Sequence, residues 1–135
     1  MPVKMSKIET AIRLVLAMTD AFNTHDVAAM TPLLDDDCTL ETADPAPDGR
    51  MLAGRDAIAA YYTALFLAMP TLRLEPEDIA GLGHRCVRQG RLVWQEADGR
   101  TGSVRAVDIF DERNGRIAAQ ISYVKGQAIG PAPGP

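Results

Sequence analysis

Asn114-Gly115, set between two runs of alternating character, constrains this chain more than any other pair of residues. A two-residue reversal between strands needs positive φ at both central positions, which asparagine and glycine tolerate, so 102–112 and 116–125 are predicted to be the arms of a β-hairpin. Side chains alternate along a strand, so Val104, Ala106, Asp108 and Phe110 share one face. Turned inward, Asp108 is a carboxylate among apolar neighbours, which makes it the candidate for proton transfer. Turned outward, it is a solvated surface residue, and Arg105, Val107 and Ile109 enter the core instead. The inward orientation is preferred, because burying Arg105 unpaired costs more than burying one protonatable carboxylate. On that reading Asp108→Asn keeps or raises stability. The register stays open: a two-residue turn sets Ile121 opposite Asp108, whereas a three-residue loop brings Gln120 or Ser122 there.

A chain of 135 residues, 47% apolar and 24% charged, has the size and balance of one globular domain with one core. The domain is expected over 6–126, followed by a flexible Pro/Gly-rich tail over 127–135. A net charge of −4 without a Lys/Arg cluster argues against a nucleic-acid partner. No apolar run approaches the roughly 18 residues that span a bilayer. Residues 1–5 lead into an amphipathic rather than a signal-type segment, so no membrane partner and a cytoplasmic location are expected. Cys38 and Cys86 lack C-x-x-C spacing and read as reduced core residues.

Helical signals come first. Ser6-Lys7-Ile8-Glu9 has the form of a capping box, followed by an apolar stripe through Ile8, Ile12, Val15, Thr19 and Phe22. A short second helix is expected from Val27 through Leu33-Leu34, then a strand over 38–42 and a loop over 43–49. Gly54-Arg55-Asp56-Ala57 opens another helix, which Pro70 stops. Alternating runs at 71–80, 85–96, 102–112 and 116–125 follow, separated by glycine-bearing turns. Helices first and a meander of strands afterwards is the α+β layout.

The series Ala21-Phe22-Asn23-Thr24-His25-Asp26, Leu33-Leu34-Asp35-Asp36-Asp37-Cys38-Thr39-Leu40-Glu41, Gly54-Arg55-Asp56-Ala57-Ile58, Val107-Asp108-Ile109-Phe110 and Asn114-Gly115-Arg116-Ile117 resembles SnoaL-like, polyketide cyclase-like members of the nuclear-transport-factor-2-like superfamily. The resemblance covers roughly residues 8–125. It implies an α+β cone, in which a curved antiparallel or mixed sheet wraps a long N-terminal helix and leaves an apolar pocket. It implies that Asp108 is the pocket acid of the cyclases and steroid isomerases, that Tyr62 is a pocket tyrosine, and that Gln120 is a polar pocket residue beside Asp108. Two positions depart from the steroid isomerases. Thr42 stands where they carry a catalytic aspartate and Met18 where they carry a phenol; neither a hydroxyl near neutral pH nor a thioether can do that work. The family also contains non-catalytic members, so the fold does not settle the function.

Met18, Phe22 and Trp94 are the expected walls for a small apolar or ring-shaped ligand, although Trp94 serves equally well as core filler. Of the adjacent Tyr61 and Tyr62, only one is expected to look inward. His25 and His84 read as solvated loop residues, and Asp35-Asp36-Asp37 as a solvated helix end. No metal-ligand spacing, phosphate loop or nucleophile elbow is present, so neither metal nor cofactor is expected. Two functions remain. One is a cofactor-free acid/base enzyme of the isomerase or aldol-type cyclase class on a small carbonyl compound, with Asp108 as the catalytic group and Met18, Phe22, Thr42, Tyr62, Trp94 and Gln120 around the substrate. The other is a non-catalytic ligand-binding or dimerisation module. A homodimer through the outer face at Val107 and Ile109 is expected in either case.

Overall fold

The computed structural model describes residues 2–126, with side chains from Glu9 onward, so the expected tail at 127–135 lies outside the described residues. Helix α1 (Pro2–Asn23) is followed by α2 (Val27–Met30) and a 3-10 turn (Thr31–Leu33), then β1 (Leu34–Glu41), β2 (Met51–Ala53) and α3 (Arg55–Ala68). Four long strands complete the order: β3 (Arg73–Leu82), β4 (Arg85–Gln95), β5 (Thr101–Arg113) and β6 (Arg116–Val124). They form one sheet in the order β2-β1-β6-β5-β4-β3. Only the β1–β6 pair is parallel, so the sheet is mixed.

The four predicted strands are present with boundaries close to those expected, because each is bracketed by a turn its residues favour. Asn114 and Gly115 both have positive φ, 54° and 78°, as the tight β5–β6 turn requires. The N-terminal region differs from expectation. Helix α1 begins at Pro2, so Ser6 lies within the helix and is not its cap; proline suits a first helical turn, having no amide hydrogen to leave unbonded. Pro32 ends the second helix at Met30 by opening the 3-10 turn, and the chain enters β1 at Leu34. Asp35, Asp36 and Asp37 therefore lie on a strand and not at a helix end. Arg113 donates to Asp35 at 2.7 Å, which holds that carboxyl below its usual range, and Arg55 pairs with Asp36.

Helices α1 and α3 lie on the inner face of the sheet. Val15, Met18, Phe22, Leu65 and Phe66 pack there with Leu40, Leu74, Cys86 and Phe110 from the strands. Cys38 and Cys86 are buried free thiols. The end of α1 is fixed by a side chain that imitates a strand: Asn23 accepts from the Leu74 amide at 2.7 Å and donates to the Leu74 carbonyl at 2.9 Å. Asn23→Ala leaves both backbone groups without that partner. The variant is expected to lose about 1–3 kcal/mol, read as a lower urea midpoint at unchanged slope. His25 is half-buried and not solvated: its ring stacks on Phe66 with centroids 4.1 Å apart, and its Nε2 lies 2.6 Å from the Leu72 carbonyl. No described helix is long and apolar enough to cross a membrane.

Candidate functional site

Strands β4 and β5 set Arg88 and Asp108 opposite each other in register, with both side chains on the inner face and both residues only 5% exposed. Arg88 Nη2 donates to Asp108 Oδ2 at 3.0 Å. The other carboxylate oxygen accepts from Gln120 Nε2 at 3.2 Å and from the Ser122 hydroxyl. Asp108 thus faces inward, as the pattern on its own strand suggested, but its neighbours are not apolar: β4 brings a cation, and β6 brings two neutral donors.

The register explains these partners. The tight turn alone would place Ile121 across from Asp108. A bulge between Asp111 and Glu112 leaves Ala118 as an extra residue on β6, which moves the partner to Ser122. Ser122 and Gln120 then share the inner face, and Gln120, opposite Phe110, reaches Asp108 across the diagonal. Gln120 is therefore a companion of Asp108 without being its direct cross-strand neighbour.

Arg88 is held from three directions. Its Nη1 donates to Thr19 Oγ1 at 2.8 Å, and that hydroxyl donates to the Val15 carbonyl one helical turn back at 2.7 Å. Its Cζ lies 5.1 Å from the centroid of the Phe110 ring, within cation–π range. Its Nε is buried and has no hydrogen-bond partner among the described residues. Arg88, Thr19 and Ser122 are absent from the sequence-derived site. One signal for Arg88 was available: it stands on the Cys86–Leu92 face of β4, and it and Asp108 lie ten residues on either side of Asp98 in the intervening turn.

A cavity of about 60 Å³ opens against this pair. Asp108, Gln120, Tyr62, Phe22 and Thr42 line it, together with Arg88 and Ser122. Met18 and Trp94 are not among its walls. Met18 is buried in the core, and Trp94 lies over Gly102 at the far end of the sheet, with its Nε1 donating to Glu96 at 3.0 Å. Both tyrosines line the chamber, where one was expected. Tyr62 donates to Gln120 Oε1 at 3.4 Å. Burial pushes both phenols up, Tyr61 to about 12 and Tyr62 more strongly, with the charge of Asp108 adding to Tyr62. Each remains a hydrogen-bond donor at neutral pH.

Thr42 is buried at the mouth, but its hydroxyl is engaged by its own loop. It donates to the Asp44 carbonyl at 2.7 Å and accepts from the Arg50 amide at 3.0 Å. The loop so closed and the end of β6 enclose a second, larger space of about 750 Å³. Thr42, Ala43, Ser122 and Val124 line both spaces, which adjoin there.

A family model of the SnoaL-like domain matches residues 15–120. Among solved structures, an NTF2-like protein of unknown function from Mesorhizobium loti is 33% identical, with a TM-score of 0.77 over 89% of this chain and 94% of that one. A polyketide cyclase assignment from Xanthomonas campestris pv. campestris is 25% identical, with a TM-score of 0.70 over 87% and 91%. A SnoaL-like polyketide cyclase assignment from Jannaschia sp. CCS1 is 17% identical, with a TM-score of 0.74 over 93% and 89%, a likeness of fold. No curated protein matches the chain significantly.

Proposed function

The chain belongs to the SnoaL-like family, and on that premise we propose that it binds a small carbonyl compound and moves a proton on it without a cofactor. The observation that carries this reading is the buried Arg88–Asp108 pair at the wall of a cavity. The carbonyl oxygen accepts from the Tyr62 hydroxyl, which turns to it from Gln120 Oε1, and lies beside the Arg88 guanidinium. Asp108, which accepts from Ser122, Gln120 and Arg88, is the carboxylate that the chamber presents to a ligand and is the group assigned to take the proton. It removes a proton from the carbon next to the carbonyl, and the electron pair moves onto oxygen, where the guanidinium stabilises the charge that develops. Asp108 then acts as the acid. Returning the proton to a different carbon isomerises the substrate. In the aldol-type alternative the enolate carbon bonds to a second carbonyl carbon, and the proton passes to the new alkoxide.

Incubating 4-phenylbutan-2-one with the protein in D2O and following loss of its α-hydrogen signals by NMR tests this reading. Exchange faster than the buffer background is expected, and a rate equal to the background overturns the catalytic role. One observation favours the second reading, a binding module of the same fold: all three donors on Asp108 come from the protein itself, so the carboxylate is satisfied before any ligand arrives. In that case the ketone binds and does not exchange.

We also propose a homodimer through the outer face of the sheet. Val87 and Ile109 form a cross-strand pair there, and Val107 stands two residues along β5 on the same face. Sedimentation velocity at micromolar concentration is expected to show a dimer that Ile109→Lys converts to monomer; a monomeric parent chain contradicts the dimer.

A further inference from the structure

Two spaces of very different size and chemistry adjoin at the rim formed by Thr42, Ala43, Ser122 and Val124, and together they define a ligand. The inner chamber, about 60 Å³, has room for about two water molecules at roughly 30 Å³ each, whereas a cavity that admits benzene is about 150 Å³. A ring does not enter without displacing side chains; a group the size of a carbonyl and its substituent does. The outer groove, about 750 Å³, falls within the roughly 300–1,000 Å³ of small-molecule sites.

Charge distinguishes what each space accepts. Among the described residues, the only charged side chains lining the chamber are Arg88 and Asp108, which neutralise each other. A ligand carboxylate there would be an uncompensated buried anion, while a neutral oxygen adds no charge to the balanced pair and can accept from the Tyr62 hydroxyl. In the groove, Glu41, Asp44 and Asp48 stand against Arg50 alone among the described residues, beside the apolar surfaces of Ile121 and Tyr123.

We infer that the ligand is elongate. Its uncharged carbonyl head (ketone, ester or amide) enters the chamber, and its larger body, neutral or cationic but not anionic, stays in the groove between the 43–50 loop and the end of β6. This rests on the small-molecule reading above but not on turnover.

The test uses 4-phenylbutan-2-one and its para-trimethylammonium and para-carboxylate derivatives, titrated into 15N-labelled full-length protein. The Arg88 Nε–H signal reports the chamber, and the amides of Gly49 and Tyr123 report the groove. The neutral and cationic ketones are expected to move both sets together, and the carboxylate derivative to bind about tenfold more weakly. Movement of one set without the other, equal affinity for the carboxylate derivative, or no movement with any probe overturns the inference. Binding of this pattern without α-hydrogen exchange removes the catalytic reading and leaves the inference standing; exchange without groove shifts does the reverse.

Discussion

Asp108→Asn is expected to destabilise the fold by about 3–5 kcal/mol, because it removes one member of a buried ion pair and leaves the Arg88 guanidinium without its counter-charge. Arg88→Met is expected to do comparable damage for the mirrored reason. The double variant Arg88→Met/Asp108→Leu removes both charges and substitutes apolar volume. Its stability is expected to match the parent or exceed it by about 1–4 kcal/mol, as buried pairs replaced by packed apolar residues do. Urea denaturation of the parent, Arg88→Met, Asp108→Leu and the double variant gives the cycle and its coupling directly. An exposed aspartate would shift stability by no more than about 0.5 kcal/mol in either direction. The sequence alone predicts the opposite sign for Asp108→Asn, since it sees a carboxylate among apolar residues and not the cation that β4 places against it.

The second large effect is expected at Gly49, which holds the outer groove in shape. Its φ is +69°, and a Cβ there would lie 1.6 Å from the Thr42 carbonyl oxygen, a backbone atom that a side-chain rotation cannot move aside. Gly49→Ala must therefore open the loop. That breaks the Gly49 amide's bond to the Pro45 carbonyl at 2.7 Å and loosens the Thr42–Arg50 contacts. A loss of about 2–3 kcal/mol is expected from left-handed strain and the lost bonds. Amide hydrogen exchange at Arg50 should accelerate while the β4 and β5 amides stay protected. Unchanged protection at Arg50 contradicts the role given to the loop.

The architecture was legible where local chemistry and tertiary packing agree. Asn114-Gly115, Gly54 before α3 and Pro70 after it marked element boundaries, and the alternation of β5 pointed Asp108 inward. What escaped was non-local. Arg88 belongs to another strand, and its pairing with Asp108 depends on the register of the β4–β5 hairpin, which no single strand displays. Ser122 depends on the bulge at Ala118, a one-residue event that alanine does not advertise. Trp94 illustrates the converse: its size suggested a pocket wall, but Gly102 opposite it leaves room for the ring to lie on the strand, so it packs there. His25 was misread because a loop position predicts exposure, whereas the adjacent Phe66 ring covers it.

On the proposed function, the Arg88–Asp108 pair is retained for chemistry on a bound carbonyl and not for stability. The Arg88→Met/Asp108→Leu variant separates the two, because it keeps the fold and removes the pair. Measured by α-hydrogen exchange of 4-phenylbutan-2-one in D2O, the parent protein is predicted to exceed the buffer rate and the double variant to lose about 10²- to 10⁴-fold of that acceleration, or fall to background. A folded double variant that exchanges the ketone as fast as the parent shows that the pair takes no part in the proton transfer.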